Sequence, residues 1–232
     1  ARRHGLAATI VVPHHNSVEK NAAMRALGAE LIEHGEDFQA AREHAAALAV
    51  SQGLHFVPSF HRDLVLGVAT YWVEFFRAVQ PDVVFVPIGL GSGLSACAIA
   101  RALTGVSTRI VGVVSTQATA YLDSFRAGRV IESPVTTELA DGMACRVPDA
   151  DALEVIRREA DDVIAVSDDE VAAAMRLLYT ATHNVAEGAG AASLAAALQQ
   201  RQRWQHRCVG VTLCGGNVDR DVFARVLAGG PQ

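Results

Sequence analysis

Apolar runs alternate along the chain with alanine-rich stretches of helical period, the pattern of strand–helix units that feed a parallel sheet. Thr9 to Val12 reads as a buried strand, Ser17 to Leu27 as a helix closed by Gly28, and Ala29 to Glu33 as the next strand. Asp37 caps a helix running through Ala49, and Leu54 to Val57 reads as a third short strand. Pro58 stops that group, so a first domain is set at 1–57 and a second at 58–232. In the second, Leu64 to Val79 has helical period and carries Tyr71, Trp72, Phe75 and Phe76, which read as core or interface filler. Strands follow at Asp82 to Pro87, Arg109 to Val114, Val163 to Val166 and Val209 to Leu213. Ser167 with Glu170 forms a capping box for a helix to about Ala181, and Gly188 to Arg203 is an alanine-rich helix. Ser115 to Asp149 is mixed and turn-rich. The fold class predicted from this pattern is α/β, with open, mostly parallel sheets between flanking helices.

Composition narrows the chemistry. At 232 residues, 50% hydrophobic and 19% charged, the chain has enough apolar material for a substantial core. A formal charge of −5 with scattered arginines gives no footprint for nucleic acid, and no apolar stretch has membrane-spanning length. Neither a nucleic-acid nor a membrane partner is expected. Cys97, Cys145, Cys208 and Cys214 form no C-x-x-C pair, which suits reduced thiols in the cytoplasm. Lys20 is the single lysine among 20 basic residues.

The most chemical segment is Gly89-Leu90-Gly91-Ser92-Gly93-Leu94, set between the apolar strand Val83 to Val86 and the small-residue helix start at Ser95 to Ala98. Glycines let successive backbone N–H groups converge on an anion, and the following helix N-terminus adds partial positive charge. The same run also suits a turn that only packs a helix onto a sheet. A dinucleotide reading of Gly91 to Ala96 requires an acidic ribose clamp about 20 residues on, but Ser95 to Leu122 contains no Asp or Glu. A Walker loop requires Lys and Ser/Thr where Leu94 and Ser95 stand. A second glycine-rich turn, Cys214-Gly215-Gly216-Asn217, ends the last strand; ligands of open parallel sheets gather at such carboxyl ends.

Taken together, Val86-Pro87-Ile88-Gly89-Leu90-Gly91-Ser92-Gly93-Leu94 resembles the glycine loop of serine and threonine dehydratases, pyridoxal-phosphate enzymes of the tryptophan-synthase β fold. Cys214 to Asn217 is similar to their S/C-G-G-N, Glu187 to Ala191 to their E-G/P-A-G-A, and Leu139 to Gly142 to their L-A-D-G. Lys20 with Arg25 to Glu30 resembles their K-x4-R-x-x-G-A-E segment. The motifs occur in the family's order along the chain. Two departures stand out: Leu90 and Ser92 interrupt the family's tetraglycine, and its G-Q-G-T appears as Gly67-Val68-Ala69-Thr70.

The resemblance implies a fold type II enzyme with 1–57 as the remainder of a small substrate domain and 58–232 as the large cofactor domain. It implies a coenzyme phosphate held by the amides of Gly89, Leu90, Gly91 and Gly93 with the Ser92 hydroxyl, and Cys214 at the pyridine nitrogen. A thiol of ordinary pKa about 8.5 is a weak partner there and favours β-elimination over transamination. Glu187 resembles a carboxylate that helps hold a divalent cation in some relatives; a plain helix-start glutamate is the alternative, and a divalent or monovalent cation stays open. The implied substrate is a small hydroxy amino acid, with racemisation as the alternative reaction and a non-catalytic phosphate-binding protein as the alternative class. The implied assembly is a homodimer or homotetramer. Lys20 lies outside the family's S-F-K-x-R-G context, so the Schiff-base lysine and the S-x-G-N loop are expected upstream of Ala1, which makes these residues the C-terminal portion of a larger enzyme.

Overall fold

Every strand ladder in the computed structural model, which describes residues 1–229, is parallel. The residues divide into two compact units, 1–58 with Asn217–Ala224, and 59–216 with the residues from Arg225 onward. The α/β architecture of parallel sheets and flanking helices agrees with the sequence expectation.

In the first unit, strands β1 (Thr9–Val12) and β2 (Glu30–Glu33) pair in register from Thr9↔Glu30 to Val12↔Glu33, with helices α1 (Val18–Ala26) and α2 (Phe38–Gln52) following them. Each helix starts where a short polar side chain meets its free amides: Ser17 Oγ accepts from Lys20 N–H, and the Asp37 carboxylate accepts from Ala40 N–H at 2.8 Å. Asp219, from the far end of the chain, accepts from the Ser17 hydroxyl and from the amides of Val18 and Glu19 at 3.1 and 3.3 Å. The expected strand at Leu54 to Val57 does not form. Leu54 N–H is taken by Ala49 O at 2.8 Å in the cap of α2, and Leu54 and Val57 are 45% and 68% exposed, so apolar character there reflects no ladder partner.

The second unit holds a four-stranded sheet in the order β5-β4-β3-β6, from β3 (Val83–Pro87), β4 (Arg109–Ser115), β5 (Asp162–Val166) and β6 (Val209–Val211). Val83 to Val86 are all buried, as a strand covered on both faces requires. Helix α3 (Arg62–Ala78) places Trp72 and Phe76, fully buried, against that core, while Tyr71 on the same helix stays 39% exposed. Helix α4 (Ser92–Thr104) follows β3 and starts three residues before the expected Ser95. Two helices occupy the region around the turn-rich segment, α5 (Ala120–Ala127) and α6 (Ala150–Glu159). Helix α7 (Asp168–Thr182) carries the expected Ser167–Glu170 capping box, and α8 (Gly188–Gln199) ends four residues before the expected Arg203. Helix α9 (Arg220–Ala228), not read from the sequence, starts among the residues of the first unit and ends among those of the second. Strand β6 stops at Val211, two residues early, because Thr212 N–H is diverted to Ser193 Oγ at 3.0 Å.

Candidate functional site

Because β3 and β6 are neighbouring parallel strands with Phe85 opposite Val211, the turns that leave their carboxyl ends emerge side by side. The two glycine-rich segments of the sequence are therefore brought to one end of one sheet.

The first turn is open. Ile88 N–H closes the strand on Val113 O at 2.8 Å, and Ser95 N–H bonds Gly91 O at 3.0 Å. Between them, the amides of Gly89 to Leu94 donate to no protein acceptor among the described residues. Gly91 is the N-cap of α4 with φ 95°, a left-handed conformation that disfavours any side chain. A Cβ at Gly91 would stand 2.8 Å from Ala152 Cβ of α6, and one at Gly89 would stand 2.5 Å from Gly142 O. The Ser92 hydroxyl is not engaged with protein, and Ser95 Oγ is buried with no hydrogen-bond partner. Unpaired amides at a helix N-terminus with orphaned hydroxyls form a donor-rich loop that suits a phosphate.

The second turn is filled by protein. Gly215 O accepts from Glu187 N–H at 3.0 Å, and a Cβ on Gly215 would overlap the Glu187 carboxylate. A Cβ on Gly190 would in turn overlap Gly215 O, and one on Gly188 would overlap Leu139 O. The segments Leu139–Gly142, Glu187–Ala191 and Cys214–Gly216 are thus locked together by missing side chains, with Gly89 touching the same knot through Gly142. Glu187, the sequence candidate for a cation ligand, braces this turn; among the described residues no group of three or more His, Cys, Asp or Glu is arranged to hold a metal ion.

Cys214 keeps solvent access, and its Sγ lies 3.8 Å from Ala189 O. Surrounding protein atoms, and then the Glu187 carboxylate, push its thiol above the ordinary value, so it is a neutral hydrogen-bonding group at neutral pH. Cys97, buried in α4, is pushed up more strongly by burial, against a smaller opposing influence from Arg101. Tyr71 is raised first by burial and then by the Cys214 and Cys97 thiols. The sequence pattern marked Tyr71 only as filler, and it gave no sign of the orphaned Ser95 hydroxyl. A polar tip on an otherwise apolar helix face was the one available hint for Tyr71.

A parallel α/β sheet with unengaged loop amides and a thiol at adjacent strand ends is an arrangement that suits a phosphorylated ligand. The chain belongs to the pyridoxal-phosphate dependent enzyme family, whose model matches residues 1–215. It is 33% identical over 229 residues to the L-threonine ammonia-lyase of Geobacter sulfurreducens, covering 97% of this chain and 57% of that protein. It is 30% identical over 224 residues to the L-threo-3-hydroxyaspartate ammonia-lyase of Saccharomyces cerevisiae, with 96% and 69% covered. Among solved structures, maize serine racemase superposes with a TM-score of 0.86 at 26% identity, covering 99% of this chain and 71% of that one. The chain thus spans little more than half the length of some of its curated relatives. Among the described residues no helix is long and apolar enough to cross a membrane.

Proposed function

We propose that this chain supplies the coenzyme-holding part of a pyridoxal-phosphate ammonia-lyase whose whole protein converts serine, threonine or a related β-hydroxy amino acid to a 2-oxo acid and ammonia. The observation that carries the reading is the run of unengaged amides from Gly89 to Leu94 beside the Cys214 turn. In this reading the amides of Gly89, Leu90, Gly91 and Gly93 and the Ser92 hydroxyl bind the coenzyme phosphate, aided by the N-terminus of α4. Cys214, held neutral, would be the weak hydrogen-bond partner for the ring nitrogen and would leave that nitrogen without a full positive charge.

When bound, pyridoxal phosphate supplies an electron sink for the carbanion left when the substrate α-proton is removed. A neutral Cys214 thiol would keep that sink modest, which suits loss of the β-hydroxyl as water; hydrolysis of the product, consuming one water, would release the 2-oxo acid and ammonia. The ammonia-lyase relatives act on β-hydroxy amino acids by their names, which supports that substrate class. Racemisation is the second reading, supported by the likeness to serine racemase, since it begins with the same proton removal. No residue of this chain is assigned the Schiff base: its one lysine, Lys20, belongs to α1 in the first unit.

Two measurements test the proposal. Calorimetric titration of the chain is expected to give binding of pyridoxal phosphate and no comparable binding of pyridoxal; equal affinity removes the cradle. In the whole protein, threonine, serine and threo-3-hydroxyaspartate are assayed for 2-oxo acid by a coupled dehydrogenase and for enantiomer by chiral chromatography. Release of 2-oxo acid is expected to dominate, and inversion without it would transfer the protein to the racemases.

A further inference from the structure

The peptide group between Leu90 and Gly91 has its two polar ends treated unequally. Its carbonyl accepts a hydrogen bond from the Tyr121 hydroxyl at 2.8 Å, and that hydroxyl oxygen in turn accepts from Asp149 N–H at 3.1 Å. Tyr121 lies on α5 and is fully buried. Asp149 is the N-cap of α6, its carboxylate accepting from the amides of Asp151 and Ala152 at 3.1 and 3.2 Å. Ala152 is also the residue whose methyl group closes the space beside Gly91. Two successive loop residues are therefore held from the α5–α6 side, Leu90 by hydrogen bond and Gly91 by contact. No peptide bond is cis, and in a trans peptide the N–H points opposite to the C=O. Fixing the Leu90 carbonyl on Tyr121 thus turns the Gly91 N–H away from the α5–α6 side, and that N–H has no protein acceptor among the described residues.

We infer that Tyr121 is a positioning residue for the phosphate cradle: its hydroxyl locks the Leu90–Gly91 peptide plane so that the Gly91 amide faces the anion before any ligand arrives. The inference rests on the phosphate reading of the loop. A donor that is already aimed costs no reorientation on binding, and an arriving anion collects its full interaction. In a glycine-flanked loop the plane has little else to hold it, because glycine permits rotations that a side chain would block. A purely structural tyrosine that only joined α5 to α6 would have no reason to care whether the ligand carries a phosphate.

The test compares wild type with Tyr121→Phe, which keeps the ring and removes the hydroxyl, by titrating pyridoxal phosphate, inorganic phosphate and pyridoxal. Y121F is expected to weaken pyridoxal phosphate and inorganic phosphate about five- to tenfold while pyridoxal is unchanged. Equal affinities in the two proteins, or an equal loss for pyridoxal, overturn the role of Tyr121 and leave the cradle standing. A wild type that shows no preference for phosphate overturns the cradle first, and the inference with it. Should Y121F not fold, wild-type amide spectra suffice: inorganic phosphate is expected to shift the Gly91 N–H more than its helical neighbours, and an unmoved Gly91 overturns the proposal.

Discussion

The two glycine-rich turns that end β3 and β6 look alike in sequence and are built for opposite purposes. In the first, the backbone donors from Gly89 to Leu94 are left without protein partners, and glycine is demanded at Gly91 by a left-handed φ. In the second, the space beside Gly215 is already taken by the Glu187 carboxylate, and its carbonyl by the Glu187 amide. One turn leaves its backbone donors unengaged; the other uses glycine so that the protein can close on itself. The closed turn holds Cys214 in place, and through Gly142 it also braces the open one. A glycine run alone therefore does not announce a ligand site. The destination of its N–H groups does.

The largest expected effect breaks the closed turn. Gly190→Ala would force a methyl onto the Gly215 carbonyl, a backbone group that cannot swing aside, so a loss of about 3 kcal/mol is expected in chemical denaturation. A loss below about 1 kcal/mol would mean the turn is loose enough to open. Gly91→Ala comes next, combining left-handed strain with crowding against Ala152; about 2 kcal/mol of stability should go, together with the preference for pyridoxal phosphate over pyridoxal.

The thiols sharpen the contrast through pH. Burial raises Cys97 in the folded state, so its contribution is intact below the ordinary thiol value near 8.5 and is lost as pH climbs toward the folded value. Over that alkaline range the unfolding free energy should fall by up to about 1.4 kcal/mol per pH unit, and Cys97→Ala should flatten the slope; an identical slope in the variant would assign it elsewhere. Cys214, raised by desolvation and by Glu187, should react with iodoacetamide at a rate still increasing above about pH 9 when its own peptide is followed by mass spectrometry. A plateau near pH 8 would show a thiolate where a neutral thiol is described. The smallest effect is expected at Gly93, where an added methyl meets Pro87 O only at 3.8 Å and φ is ordinary. Gly93→Ala should move stability by no more than about 0.5 kcal/mol in thermal melts.

Much of this was legible because its signals are local. The alternation of apolar runs and alanine-rich helices specified parallel ladders, and the capping pair at Ser167 and Glu170 appeared as read. The four glycine motifs, in their order along the chain, point to the family. What stayed hidden depends on contacts between distant residues. Leu54 to Val57 has the composition of a strand but finds no partner, and α5 lies in a segment whose mixed polarity hides its buried face of Tyr121 and Leu122. Nothing near Tyr121 in sequence reveals that its hydroxyl reaches Leu90, 31 residues away. Periodicity reports which face of an element is buried; it carries no record of which distant carbonyl a buried hydroxyl will meet.

Asp219 grips the start of α1 across 202 residues of chain. On a ribosome adding roughly 5–20 residues per second, Ser17 is made about 10–40 s before its partner. The nascent α1 must therefore wait with its leading amides facing water, and the final fastening of the first unit is a late event in the life of each molecule, open to interference by anything that binds that helix end sooner.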